Sequence, residues 1–182
     1  MDSKIIKFIR KHHVLTLATS RDNIPWTAHC FYAFMEDEKA LVFTTDDDTR
    51  HGQEMLENPV VSGGIALETK VVGMIRGVQL TGRVHRLGDD NTPGDPRLRG
   101  DDENDELSQK SSSSRTESSG DPGPHDNHGS ARHSYLKRFP YAALMKTSLW
   151  ILELERVKFT DNRLGFGNKL HWERTSNQSE PR

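Results

Sequence analysis

Gly73-Met74-Ile75-Arg76-Gly77-Val78-Gln79-Leu80-Thr81-Gly82-Arg83-Val84-His85-Arg86-Leu87 is the longest strand signal in the chain. Gly77 and Gly82 stand inside it as bend points, since glycine in a strand marks a bulge or a tight bend. A long strand bent twice belongs to a curved sheet, and closure into a full or partial β-barrel is favoured over a flat sheet. The neighbouring segment Val60-Val61-Ser62-Gly63-Gly64-Ile65-Ala66-Leu67 reads as a strand with two more such glycines.

A second long strand begins at Ser148. Trp150, Leu152 and Leu154 face one way, and Glu153 and Glu155 the other. The apolar phase then slips by one, because Val157 and Phe159 follow Leu154 at odd spacing. A β-bulge at Glu155-Arg156 accounts for the slip. Toward the N-terminus, a short helix capped by Ser3 carries Ile5, Ile6, Phe8 and Ile9 on one face. His13–Thr19 is β-rich and ends in the turn cluster Ser20-Arg21-Asp22-Asn23. Thr27–Met35 follows, apolar enough on both faces to be buried on both. Glu36–Lys39 turns the chain and Ala40–Thr45 returns it. Thr49–Leu56 reads as a helix that Asn58-Pro59 ends. Tyr135–Met145 is helix-like but interrupted by Pro140. The expected fold is mainly β: about six antiparallel strands in a barrel with flanking helices.

Of the 182 residues, 32% are hydrophobic and the mean hydropathy is -0.78. This polarity is local. Residues 88–134 contain no aromatic residue and only Leu98, Leu107 and Ala131 as apolar side chains, with 11 acidic against 5 basic groups. Such a segment has too little apolar surface to offset its ordering entropy. The expected organisation is therefore one barrel domain from 1–87 and 135–172, a disordered polar insertion at 88–134, and a flexible tail at 173–182. The single cysteine, Cys30, excludes an internal disulfide and fits a reducing compartment. No apolar run approaches a membrane span, and the N-terminal residues lack the apolar stretch of a signal peptide. No basic face is extensive enough to point to nucleic acid. The expected setting is cytoplasmic.

Thr44-Thr45-Asp46-Asp47-Asp48-Thr49-Arg50-His51-Gly52 carries the most chemical information. A strand ends, a short turn follows, and a helix opens with a hydroxyl and two potentially cationic side chains. Helix starts leave backbone N–H groups free and carry positive partial charge. An arginine there adds a planar, bidentate phosphate donor. The arrangement is a workable phosphate cradle. The alternative is a capped surface helix with a solvated Arg50, which the three aspartates upstream favour.

The order of elements, with Phe43-Thr44-Thr45, Thr49-Arg50-His51-Gly52 and Asn58-Pro59, resembles the pyridoxamine 5′-phosphate oxidase-like split barrels. The stretches Ile75-Arg76-Gly77-Val78-Gln79, Lys137-Arg138-Phe139-Pro140, Lys158-Phe159-Thr160-Asp161-Asn162 and Leu164-Gly165-Phe166-Gly167 resemble the YhbP-like branch in particular. The resemblance implies an FMN-binding split barrel that works as a homodimer, with the flavin at the subunit interface. It implies that Thr45, Thr49, Arg50 and His51 hold the flavin phosphate and that Arg76 lines the site. His51 stands where the family has lysine, and an imidazole is mostly neutral near pH 7. Gly77 falls where the wider family has a glutamine that contacts the ring, and Gln79, on the same strand face as Gly77, is the compensating candidate.

No nucleophile–base–orienter arrangement is legible, as expected if a flavin carries the chemistry. No histidine set has metal-ligand spacing. Trp150 reads as core, and Trp172 as a residue that covers a pocket or reaches a partner subunit. The leading expectation is an FMN protein, with oxidoreductase action on a small molecule as its candidate reaction. A haem-handling barrel and a cofactor-free dimeric binding module are the two alternatives.

Overall fold

The computed structural model describes residues 1–87, 127–144, 147–164 and 168–175. Helix α1 (Ser3–Lys11) leads into strands β1 (Val14–Arg21), β2 (Ile24–Met35) and β3 (Ala40–Thr45). Helix α2 (Arg50–Glu57) follows, then β4 (Val60–Ala66), β5 (Arg76–Arg86), helix α3 (Asn127–Arg138), β6 (Ser148–Asp161) and β7 (Lys169–Glu173). The sheet order is β3-β2-β1-β4-β5-β6-β7, all neighbours are antiparallel, and β3 also pairs with β6. That last pairing closes six strands into a barrel, and β7 adds a seventh strand beside the second half of β6. Sequence and structure agree on a mainly β split barrel.

Local chemistry explains the joints. Asp22 and Asn23 both have positive φ, at 53° and 61°. A two-residue hairpin with that geometry matches the right-handed twist of its strands, and Asp and Asn tolerate it best. The cap of α1 is Asp2 rather than Ser3: its carboxylate accepts Lys4 N–H at 2.7 Å. At the other end of α1, Arg138 donates to the carbonyls of Arg10 and His12, so a cation covers the negative end of the helix. The bulge falls as expected. Thr81 pairs with Arg156 and Gly82 with Leu154, which leaves Glu155 as the extra residue. Gly82 is required there, because a Cβ would lie 2.0 Å from the carbonyl oxygen of Glu153.

The barrel interior is filled by Leu15, Leu17, Tyr32, Leu41, Phe43, Val78, Leu80, Trp150, Leu152 and Leu154, with Ile5, Phe8 and Ile9 of α1 against it. A second cluster, outside the barrel, joins Ala33, Met35, Val42 and Ile151 to Ala131 and Tyr135 of α3.

Three expectations need correction. Strand β2 is buried on both faces only from Tyr32 onward. Ile24 and Trp26 are 59% and 43% exposed, because among the described residues little packs on the first half, and Phe31 is 55% exposed on the opposite face. The domain resumes at Asn127 and not at Tyr135. Ala131 is fully buried, and one small apolar residue a turn before Tyr135 suffices to dock the start of α3. The rest of the 88–134 expectation lies outside the described residues. The tail is anchored further than expected: Glu173 is still in β7, and Arg174 donates to the carbonyl of Leu154 at 2.8 Å and to those of Glu38 and Lys39. Among the described residues, no helix is long and apolar enough to cross a membrane.

Candidate functional site

Strand β3 ends at Thr45, and the chain turns through three aspartates into α2. Thr49 is the N-cap, and its hydroxyl accepts Gly52 N–H at 3.1 Å while donating to the carbonyl of Asp46 at 2.8 Å. The turn is tight enough that a Cβ on Gly52 would sit 2.6 Å from that same carbonyl oxygen. This closeness folds the start of α2 back onto the end of β3. Thr45 Oγ1 therefore lies 2.6 Å from His51 Nε2 and 3.2 Å from Thr49 Oγ1. Two hydroxyls and one imidazole converge beside the first amides of a helix, which lack helical acceptors.

Arg50 stands next to this cluster and is already engaged. Its Nε donates to Glu54 Oε1 at 2.8 Å, and its guanidinium lies 4.3 Å from the centroid of the Trp26 ring. Glu54 is buried, and the Thr19 hydroxyl holds its other oxygen at 2.6 Å. The bond from Thr19 and the bond from Arg50 keep the Glu54 carboxyl below the usual carboxylate range. Burial lowers the His51 pKa, and nearby Glu54 only partly offsets that. His51 is thus a neutral hydrogen-bonding group at neutral pH. The upstream aspartates oppose an anion less than their number suggests. Asp47 pairs with Arg86, and Asp46 and Asp48 point into solvent.

The other expected site residues fall elsewhere. Thr45 pairs with Ser148 at the start of β6, whereas Arg76 pairs with Asp161 at its end. Thirteen residues of strand separate them, roughly 40 Å along its path at about 3.3 Å per residue. Within one chain Arg76 cannot join the Thr45–His51 cluster. Nor can Arg76 share a site with Gln79. Arg76 lies on the strand face of Val78 and Leu80, and Gly77 and Gln79 on the opposite one. Within one chain, Arg76 and the phosphate cluster therefore occupy different places, and the expected shared site needs a second copy.

Gln79 opens onto a groove of about 490 Å³ across the outer face of β4, β5, β6 and β7, shared with Ser62, Arg156, Lys158, His171 and Trp172. Sequence reasoning named Gln79 and Trp172 for a pocket but missed Arg156, Lys158 and His171. The signal was available: β7 had to pair with β6 for Trp172 to reach any pocket, and that pairing sets His171 opposite Lys158. Trp150 is core, as expected. No cluster of three or more metal-ligating side chains exists among the described residues.

The family profile described as pyridoxamine 5′-phosphate oxidase matches residues 1–96. A UPF0306 protein of Serratia proteamaculans is 38% identical over 172 residues, which is 94% of each chain. Among solved structures, a heme binding protein from Mycobacterium smegmatis is similar in fold, with a TM-score of 0.61 at 18% identity. The match covers 91% of this chain and 55% of that one, so the chain spans about half the length of that protein. A FAD-binding protein from Mesorhizobium loti matches with a TM-score of 0.55 at 14% identity, covering 86% of this chain and 92% of that one.

Proposed function

Because the chain belongs to the pyridoxamine 5′-phosphate oxidase family, in its UPF0306 branch, we propose that it is a homodimer that holds FMN between two copies and acts as an oxidoreductase on a small molecule. The observation that carries this reading is the convergence of Thr45, Thr49 and His51 within 3.4 Å of one another beside Arg50. Hydroxyl donors, first-turn amides and a guanidinium suit a phosphate monoester. FMN, when bound, would supply the electron or hydride transfer. The chain's own residues would bind and orient it: Thr45, Thr49 and His51 by hydrogen bonds, Arg50 by charge.

Two further features support an interface site. The groove that holds Gln79 lies ten residues along β6 from Ser148, since Gln79 pairs with Lys158. A single flavin touching both the phosphate cluster and Gln79 needs the groove of a second copy. Ile24 and Trp26 form an exposed apolar surface on one face of β2, with Trp26 directly under Arg50. Covering such a surface with a second copy places that copy beside the phosphate cluster. The single buried cysteine, whose thiol burial pushes up to about 11, fits a cytoplasmic protein without disulfide chemistry.

The test is the visible absorption spectrum of the purified protein after FMN addition and dialysis, together with its mass in solution. Retained flavin in a dimer is the expected outcome. Arg50→Ala should then weaken FMN binding by about 1.5–3 kcal/mol, the cost of a hydrogen bond to a charged group. Arg50→Lys keeps a cation for Glu54 and controls for folding. Unchanged affinity in a folded Arg50→Ala dimer would remove Arg50 from the site.

A second reading has its own observation. His171 lies in the open groove beside Trp172, where an imidazole could ligate haem iron. A Soret band on haem titration that disappears in His171→Ala, with no flavin retained, would establish that reading instead.

A further inference from the structure

At the end of β6 remote from Thr45, α1 crosses the sheet and turns Lys4, Lys7 and Lys11 toward one opening. Their i, i+3, i+7 spacing puts them on a single helix face. The opening encloses about 280 Å³ and is lined mostly by apolar surface. Its floor is Phe8 and Phe159, whose ring centroids are 5.1 Å apart. Arg76 enters from the first residue of β5, with its guanidinium 5.9 Å from the centroid of Phe8. Its Nε is buried and has no hydrogen-bond partner. Buried polar groups nearly all find partners, and arginine stays charged at any ordinary pH.

The carboxylate in the lining meets this charge only at a distance and makes no hydrogen bond to it. Asp161 is buried, and Arg163 holds both of its oxygens through Nε at 3.0 Å and Nη2 at 2.8 Å. Arg163 N–H donates to the same group at 3.1 Å. Among the described residues none of the three lysines has an ion-pair partner. Among the described residues the pocket therefore presents an aromatic floor, a half-buried guanidinium whose buried Nε has no acceptor, and a rim of three lysines without an ion-pair partner.

We propose that this pocket binds a small aromatic carboxylate, at a site separate from the Thr45–His51 cluster. The ring lies on Phe8 and Phe159, and the carboxylate accepts from Arg76, whose fork geometry matches it. The lysines draw the anion in through their summed field. The volume lies just below the usual range for ligand pockets, which suits one ring and excludes a large cofactor.

Isothermal titration of the full-length protein with benzoate, acetate and benzyl alcohol tests the assignment. Benzoate should bind, and both acetate and benzyl alcohol should bind roughly tenfold more weakly or worse, because each lacks one of the two recognised parts. Arg76→Gln should weaken benzoate by about tenfold or more, the effect of losing a charge-assisted bond. The combined Lys4→Gln, Lys7→Gln, Lys11→Gln variant changes only surface positions. It should also weaken benzoate and flatten its salt dependence, so the proposal stays testable if Arg76→Gln does not fold. Arg50→Gln should leave benzoate binding unchanged, which keeps this result independent of the FMN reading. Absence of benzoate binding, equal binding of acetate, or insensitivity to the lysine changes would each overturn the proposal.

Discussion

The two ends of β6 carry similar residues in opposite electrostatic states. At the Ser148 end, the charges beside the cluster are answered from within the chain, while Asp46 and Asp48 face solvent. Arg50 is tied to Glu54, Asp47 to Arg86, and His51 is kept neutral by burial. At the Asp161 end, Arg163 holds both oxygens of one carboxylate, while among the described residues Lys4, Lys7 and Lys11 have no ion-pair partner and Arg76 Nε has no hydrogen-bond partner. The first arrangement is rigid and preformed, with polar tips positioned by a buried network. The second leaves cations without a direct partner, which an external anion would balance. Preorganised donors give precise orientation, whereas unpaired cations over an apolar floor give attraction with looser geometry. The difference is the reason an orienting cofactor site is proposed at one end and a small-anion site at the other.

The sharpest way to break this comparison is to remove the buried acid. Glu54→Ala leaves the Thr19 hydroxyl and the Arg50 guanidinium without their shared acceptor. Breaking a buried charge pair from one side costs about 3–5 kcal/mol, and the half-exposed Arg50 places this case near the lower figure. Lys7→Ala at the other end should change stability by no more than about 0.5 kcal/mol, as at an ordinary surface position. Urea unfolding of the two variants measures both. Similar losses would show that the two ends do not differ in internal compensation.

Acid should separate the same contributions. The Glu54 pKa is lower in the folded chain than its unfolded value of about 4.3. A group of this kind contributes stability that is fully present above the unfolded value and is lost as pH falls through the folded one. The wild-type urea midpoint should therefore drop between about pH 5 and pH 2. Glu54→Gln should start lower and drop less over that window. Asp161 is depressed in the same way by Arg163, so part of the acid sensitivity should survive in Glu54→Gln. A variant whose curve parallels the wild type would place that sensitivity elsewhere.

Much of this was legible in the sequence, for identifiable reasons. The bulge at Glu155 is visible because a one-residue insertion flips the apolar parity between Leu154 and Val157. The Thr45–Thr49–His51 cluster is visible because a strand end, a short turn and a capped helix leave little freedom in where those tips go. The start of α3 is not, since its hydrophobic contribution within residues 127–134 is the single Ala131 in a run of polar residues. The exposure of Ile24, Trp26 and Phe31 is hidden for a different reason. An alternating apolar strand reads the same whether its cover is another part of the chain or a second copy. The separation of Arg76 from Gln79 follows from parity alone, but their nearness in sequence masks it.

The smallest expected effect bears on His51, which stands where the family resemblance implies a lysine. His51 Nε2 lies 2.6 Å from Thr45 Oγ1 and contributes no charge at neutral pH. His51→Lys introduces a fixed cation at the first turn of α2. A charge-assisted bond is roughly twice as strong as a neutral one, so FMN or inorganic phosphate should bind tighter by about 1 kcal/mol, or about fivefold. The same change places a cation at a positively polarised helix start, which costs a few tenths of a kcal/mol in stability. Tighter anion binding with a slightly lower melting temperature would show that the α2 end trades charge for internal order. Unchanged binding would show that the phosphate contact rests on the hydroxyls and amides alone, and the two ends of β6 would differ even more than their charges indicate.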